Sequence, residues 1–126
     1  MSDQLERRKY PRAKADISLK IARTGEIVQS KIHDISCSGI HCQLNQPIKL
    51  MTKVVIILLL PRIAGEKIDD FDKIKGQGVV VRIQEVAERD EILYNTAVFF
   101  TDLSKKDKDK ITRFVEYKLS EQEKDF

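Results

Sequence analysis

A chain of 126 residues, 41% hydrophobic and 34% charged with a net charge of +3, is long enough to bury one core, and its composition argues against a disordered or membrane-embedded chain. Its longest apolar run, Val54 to Leu60, falls far short of the ~20 residues needed to span a bilayer. With no apolar stretch near Met1 and only two cysteines, Cys37 and Cys42, the chain reads as a cytoplasmic protein with reduced thiols, not as a secreted, disulfide-bonded one.

Residues 1–14 make the first unit. They hold Arg7, Arg8, Lys9, Arg12 and Lys14 against Asp3 and Glu6, which accounts for the whole net charge. Pro11 keeps Tyr10 out of the helical region, so a flexible, extended basic arm is expected here. From Ala15 the period becomes two: Ile17, Leu19 and Ile21 alternate with polar residues and predict a strand buried on one face. Thr24-Gly25 predicts a hairpin turn into a second strand, roughly 26–35, with a bulge expected near His33 and Asp34 where the alternation falters. Gly39 opens a third strand in which Ile40, Cys42 and Leu44 point inward.

Val54 to Leu60 is apolar on both faces and is expected to be covered twice, by the sheet interior and by a helix or partner. Pro61 is expected to end it, and residues 62–77 read as a long hairpin loop. Two further strands, 78–86 and 93–101, flank the charged turn 88–91, with Phe99, Phe100 and Phe114 assigned to the core. Ser104 with Asp107 three residues later forms a capping signal, and Ile111, Phe114, Val115 and Leu119 follow at helical spacing, which predicts a helix over about 104–120. The chain thus divides into an arm (1–14), a β domain (15–103) and a helix with its tail (104–126): a mostly β fold, a small barrel or curled sheet capped by one helix.

Catalytic signatures are missing: there is no nucleophile elbow, zinc-protease helix or phosphate-cradling glycine loop, so the chain is not expected to be an enzyme. His33, Cys37, His41 and Cys42 are close in sequence, but His41 and Cys42 are neighbours on one strand and face opposite sides, so no metal site is expected. The chemistry-bearing segments are two others. The arginines of the arm are planar forks suited to phosphate oxygens and guanine edges. In Asp34-Ile35-Ser36-Cys37-Ser38-Gly39, Asp34 and Ser36 share strand parity, so an acceptor and a hydroxyl point the same way.

Arg8-Lys9-Tyr10-Pro11-Arg12 followed by Asp34-Ile35-Ser36-Cys37-Ser38-Gly39 resembles the R-x-x-x-R and D/N-x-S-x-x-G signature of the PilZ domain family, and the likeness extends over nearly the whole chain. Ala97 departs from the glycine that many members carry in the last strand. The resemblance implies a six-stranded antiparallel β-barrel with a C-terminal helix that binds cyclic di-GMP. By that analogy Arg8 and Arg12, joined by Arg7, grip the ligand, Asp34 and Ser36 bond a guanine edge, and Gly39 keeps the surface open. An arm that reshapes on binding would regulate an unidentified downstream protein, with Ile68 and Phe71 or the 54–60 run as contact surfaces. The competing readings are a ligand-independent interaction barrel and, less well supported by a chain only 6% aromatic, a barrel for single-stranded nucleic acid.

Overall fold

The computed structural model describes residues 12–65 and 67–124. Six strands, β1 (Ala13–Arg23), β2 (Glu26–Ser36), β3 (Gly39–Leu44), β4 (Lys53–Ala64), β5 (Lys67–Glu88) and β6 (Glu91–Asp102), precede one helix, α1 (Lys105–Lys124). All neighbours pair antiparallel, and the sheet closes in the order β1-β2-β3-β6-β5-β4. The expected six-stranded barrel with a C-terminal helix is therefore the fold.

Its interior is the alternation read from the sequence. Ile17, Leu19 and Ile21 of β1, Ile40, Cys42 and Leu44 of β3, and Val54, Ile56, Leu58 and Leu60 of β4 are all buried in one cluster. Gly25 supplies a positive φ for the β1–β2 turn, while Arg89 and Asp90 do the same between β5 and β6. Burial of the Cys42 thiol pushes its pKa up to about 12, so it packs as a small apolar group.

Ser104 caps α1: its Oγ accepts from the Asp107 N–H at 3.1 Å and its carbonyl from Lys108 N–H at 2.9 Å. Ile111, Phe114 and Val115 then join the barrel's own core. Lys110 lies 3.8 Å from Asp72, which pairs with Leu60 on the inward face, so the helix closes the interior. It does not cover the outer face of β4, where Leu59 remains 47% exposed. The second cover expected for this strand is therefore incomplete.

Two expectations are corrected. Residues 62–77 are not a loop, because β4 runs through Pro61 to Ala64 and β5 begins at Lys67. β1 pairs with β4 only from Val55 to Leu58, so Pro61 sits where β5 is the sole partner and a missing N–H breaks no second ladder. Of the glycines that suggested a loop, Gly65 does make the turn between β4 and β5 with a positive φ, whereas Gly76, like Gly78 after it, is a packing position. A Cβ at Gly78 would lie 2.7 Å from Val98 Cγ1, and one at Gly76 2.8 Å from Leu103 Cδ1. Phe99 is the other correction: it points outward at 50% exposure, while Phe100 beside it faces in.

No helix among the described residues is long and apolar enough to cross a membrane. The two phenylalanine environments make a stability test. Phe114→Ala, which empties a site 1% exposed, is expected to cost about 3–5 kcal/mol. Phe99→Ala should cost no more than about 1 kcal/mol. Urea unfolding of both variants checks the contrast, and equal losses would contradict this account of the core.

Candidate functional site

The last arginine of the arm motif meets the second motif at the start of β1. Arg12 precedes that strand, and the pairing Lys14↔Asp34 brings it beside the end of β2. Its Nε donates to Asp34 Oδ1 at 2.6 Å, one terminal nitrogen to Ser36 Oγ at 3.3 Å, and the other to the Gly39 carbonyl at 3.4 Å. A single guanidinium thus touches every lettered position of the D-x-S-x-x-G motif, using all of its fork. Arg7 and Arg8, the other arm residues expected at the site, lie outside the described residues.

Local folding explains why these groups converge. The register of β2 against β3 shifts between Ile32 and Asp34, so the expected bulge is present. It turns Asp34 outward while Ile32 and Ile35 both stay buried. Ser36 is fully buried, its hydroxyl within 2.8 Å of Ser38 Oγ and accepting from the Ser38 N–H at 3.2 Å, which tightens the turn into β3. At Gly39 a side chain is impossible without movement, since a Cβ would overlap the Val98 carbonyl oxygen of β6. This glycine is demanded by backbone approach, and it leaves its own carbonyl to Arg12.

His41 stands opposite Asp34 in the β2–β3 ladder, and its Nδ1 lies 2.9 Å from the same Oδ1 that Arg12 approaches. Burial pushes the Asp34 carboxyl up. The hydrogen bonds from His41 and Arg12, together with their charge, more than offset this and hold it below the usual carboxylate range. The carboxylate is therefore ionised at neutral pH and only accepts.

A cavity of about 430 Å³ opens over this network, lined by Arg12, Ser38, Gly39 and His41 on one side and by Val81, Arg82, Ala97 and Phe99 on the other. A second, of about 500 Å³, adjoins it and shares His41, Arg82 and Ala97. A larger groove of about 840 Å³ lies elsewhere, and its Arg23 is tied to Glu26 at 2.7 Å. Asp34 itself lines the second cavity, while the first sets the Arg12 fork beside the exposed ring of Phe99.

Sequence reading missed His41, Arg82 and Phe99 as lining groups. His41 was weighed only as a metal ligand, and Phe99 only as core. The two-residue turn at Cys37 and Ser38 sets Ser36 opposite Gly39, and counting back two positions from it pairs Asp34 with His41.

The family model described as the PilZ domain matches residues 6–117. No curated protein sequence is significantly similar to the chain. Among solved structures, the inhibitor of motility MotI/DgrA of Bacillus subtilis is 19% identical with a TM-score of 0.73, over 94% of this chain and 52% of that one. MrkH of K. pneumonia in its apo state is 18% identical with a TM-score of 0.72, over 93% and 52%. The PilZ domain of YcgR from Escherichia coli with c-di-GMP is 13% identical with a TM-score of 0.65, over 94% and 96%. The chain spans about half the length of the MotI/DgrA and MrkH chains, and at these identities the likeness is one of fold.

Two consequences can be measured. Gly39→Ala must push β3 away from the Val98 carbonyl, and a loss of at least about 2 kcal/mol in urea unfolding is expected; a neutral effect would contradict the close approach. The acid response tests Asp34. Its folded pKa is depressed, so its stabilisation is present above the unfolded value and is lost as pH falls through the folded one. The stability gap between the natural protein and Asp34→Asn should narrow as pH drops from about 5 to about 2. A gap independent of pH would mean that the carboxylate is not held as described.

Proposed function

The chain belongs to the PilZ domain family, and on that premise we propose that it is a non-catalytic receptor for cyclic di-GMP. The observation that carries this reading is the reach of Arg12. It ties the last arginine of the R-x-x-x-R segment to Asp34, Ser36 and Gly39 at the edge of two adjoining cavities. The chemistry of that group matches the ligand, which offers two guanines and two phosphates. A guanidinium fork suits the O6/N7 edge of guanine or a phosphate, and the Asp34 carboxylate suits the N–H edge. Phe99, exposed at the cavity's rim, offers a flat apolar face to a base.

Binding on this reading is an exchange. Without ligand, Arg12 occupies the Asp34 oxygen that a guanine edge would take. The ligand draws the guanidinium away and takes the carboxylate, and Arg8, with Arg7, adds charge from the arm. A change in the arm's conformation around the ligand alters the surface beside β1 and β2, and a downstream protein reads that change. The complex of the YcgR PilZ domain with c-di-GMP, a structure of the same fold, supports the ligand class.

Isothermal titration with cyclic di-GMP tests the proposal. The natural protein is expected to bind saturably. Arg12→Ala should lose about 1–3 kcal/mol of affinity, the worth of one good arginine–guanine contact, and Asp34→Ala and Arg8→Ala should bind more weakly too. A folded natural protein that ignores cyclic di-GMP would overturn the reading in favour of a ligand-independent interaction barrel. Displacement of the dinucleotide by any single-stranded RNA would favour the nucleic-acid alternative.

A further inference from the structure

Asp34 is held from two sides at one oxygen. Arg12 Nε and His41 Nδ1 both approach Oδ1, at 2.6 and 2.9 Å, and among the described residues no donor reaches Oδ2. The ionised carboxylate can only accept, so Nδ1 carries the proton in this contact. Resting on the ligand reading above, we propose that His41 is a positioning residue: it fixes the Asp34 carboxylate through Oδ1, so that the group keeps its orientation when Arg12 leaves it for the ligand.

The two donors differ in how they are anchored. Arg12 stands ahead of β1, on a long side chain with several rotatable bonds. His41 stands in mid-strand on β3, paired with Asp34 of β2 on one side and Ala97 of β6 on the other. Its short side chain therefore moves with a backbone laddered on both edges. Ala97 contributes only a methyl group beside it, and the ring lines both adjoining cavities. The remaining charged side chains of those cavities are His33 and Arg82. Neither forms an ion pair with Asp34 among the described residues, so once Arg12 departs His41 alone of these holds the carboxylate. A guanine edge needs an acceptor of fixed direction, and an aspartate freed of both donors would have to be ordered at the ligand's expense.

The test compares the natural protein with His41→Ala and His41→Asn, whose amide can donate from near the Nδ1 position without a ring or a charge. Cyclic di-GMP affinity is measured by titration calorimetry, and the Asp34 carboxyl is titrated by carbon NMR in the ligand-free protein. His41→Ala is expected to weaken binding about five- to tenfold, the worth of one ordinary hydrogen bond, and to raise the Asp34 pKa. His41→Asn should recover both, to within about twofold in affinity. Unchanged binding by His41→Ala, or failure of His41→Asn to recover either property, would overturn the role assigned to His41. If the natural protein itself does not bind, the ligand reading falls separately and the titration decides alone. An Asp34 pKa that does not move in His41→Ala would then refute the positioning, and one that moves and is recovered by asparagine would uphold it.

Discussion

Three backbones meet at Val98 with no room between them. Gly39 of β3 lies against its carbonyl oxygen, and Gly78 of β5 against its Cγ1 and the neighbouring Phe99 carbonyl. Closing six strands into a barrel requires such tight spots, because a small circumference leaves little space for side chains at every position. Both neighbours of β6 are thereby drawn in at one level, and Val98 itself is buried. The candidate site sits on the outer surface of this constriction. Gly39 is at once the point of closest approach and a carbonyl acceptor for Arg12, so the barrel's closure and the site's geometry share a residue.

The Arg12–Asp34 pair is suited to being exchanged. Both side chains are about one-third exposed, so solvent screens the pair and its net contribution to stability is modest. What it gains is direction: the guanidinium spends its fork on Asp34, Ser36 and Gly39, and these hold it over the cavity. A fully buried pair would cost several kcal/mol to separate. A fully exposed one would hold nothing in readiness. On the proposed reading, the intermediate burial fits a contact that prepares both partners for an anionic ligand and yields to it.

How much of this was legible in the sequence depended on whether local pattern and tertiary setting agreed. β1, β3 and the inward half of β4 alternate because one face is buried and the other wet, and Ser104 announces α1 because capping is a local bond. The β4–β5 hairpin was hidden for the opposite reason. Beyond Leu58 and before Gln77 each strand is paired on one side only, and Pro61 and Gly76 imitate loop signals although Leu60 and Ile74 still face inward. Phe99 was misread because Val98, Phe99 and Phe100 form an apolar run, whose parity is fixed only by pairing with β3 and β5. Asp34 and Ser36 were identified by motif. His41 was not: its tie to Asp34 crosses strands, in a register set by the β2–β3 turn just short of the bulge at His33.

That bulge has a counterpart. The β2–β3 register shifts between Ile32 and Asp34, and the β5–β6 register shifts between Val80 and Arg82. In each case the residues on either side of the bulge are apolar and turned inward, with Val80 fully buried and Ile83 packed on the core. Two consecutive residues face out between them: His33 and Asp34 on one strand, Val81 and Arg82 on the other. Strict alternation would have sent Asp34 and Arg82 into the interior, where an unpaired charge is untenable. With both extra residues present, the pairings Asp34↔His41, His41↔Ala97 and Ala97↔Arg82 align in one row across four strands, with an acid at one end, a base at the other and a small residue between. Irregularity in two ladders is thus what allows a regular barrel to carry a line of charged groups on its wall, and Arg12 completes the line from outside the sheet.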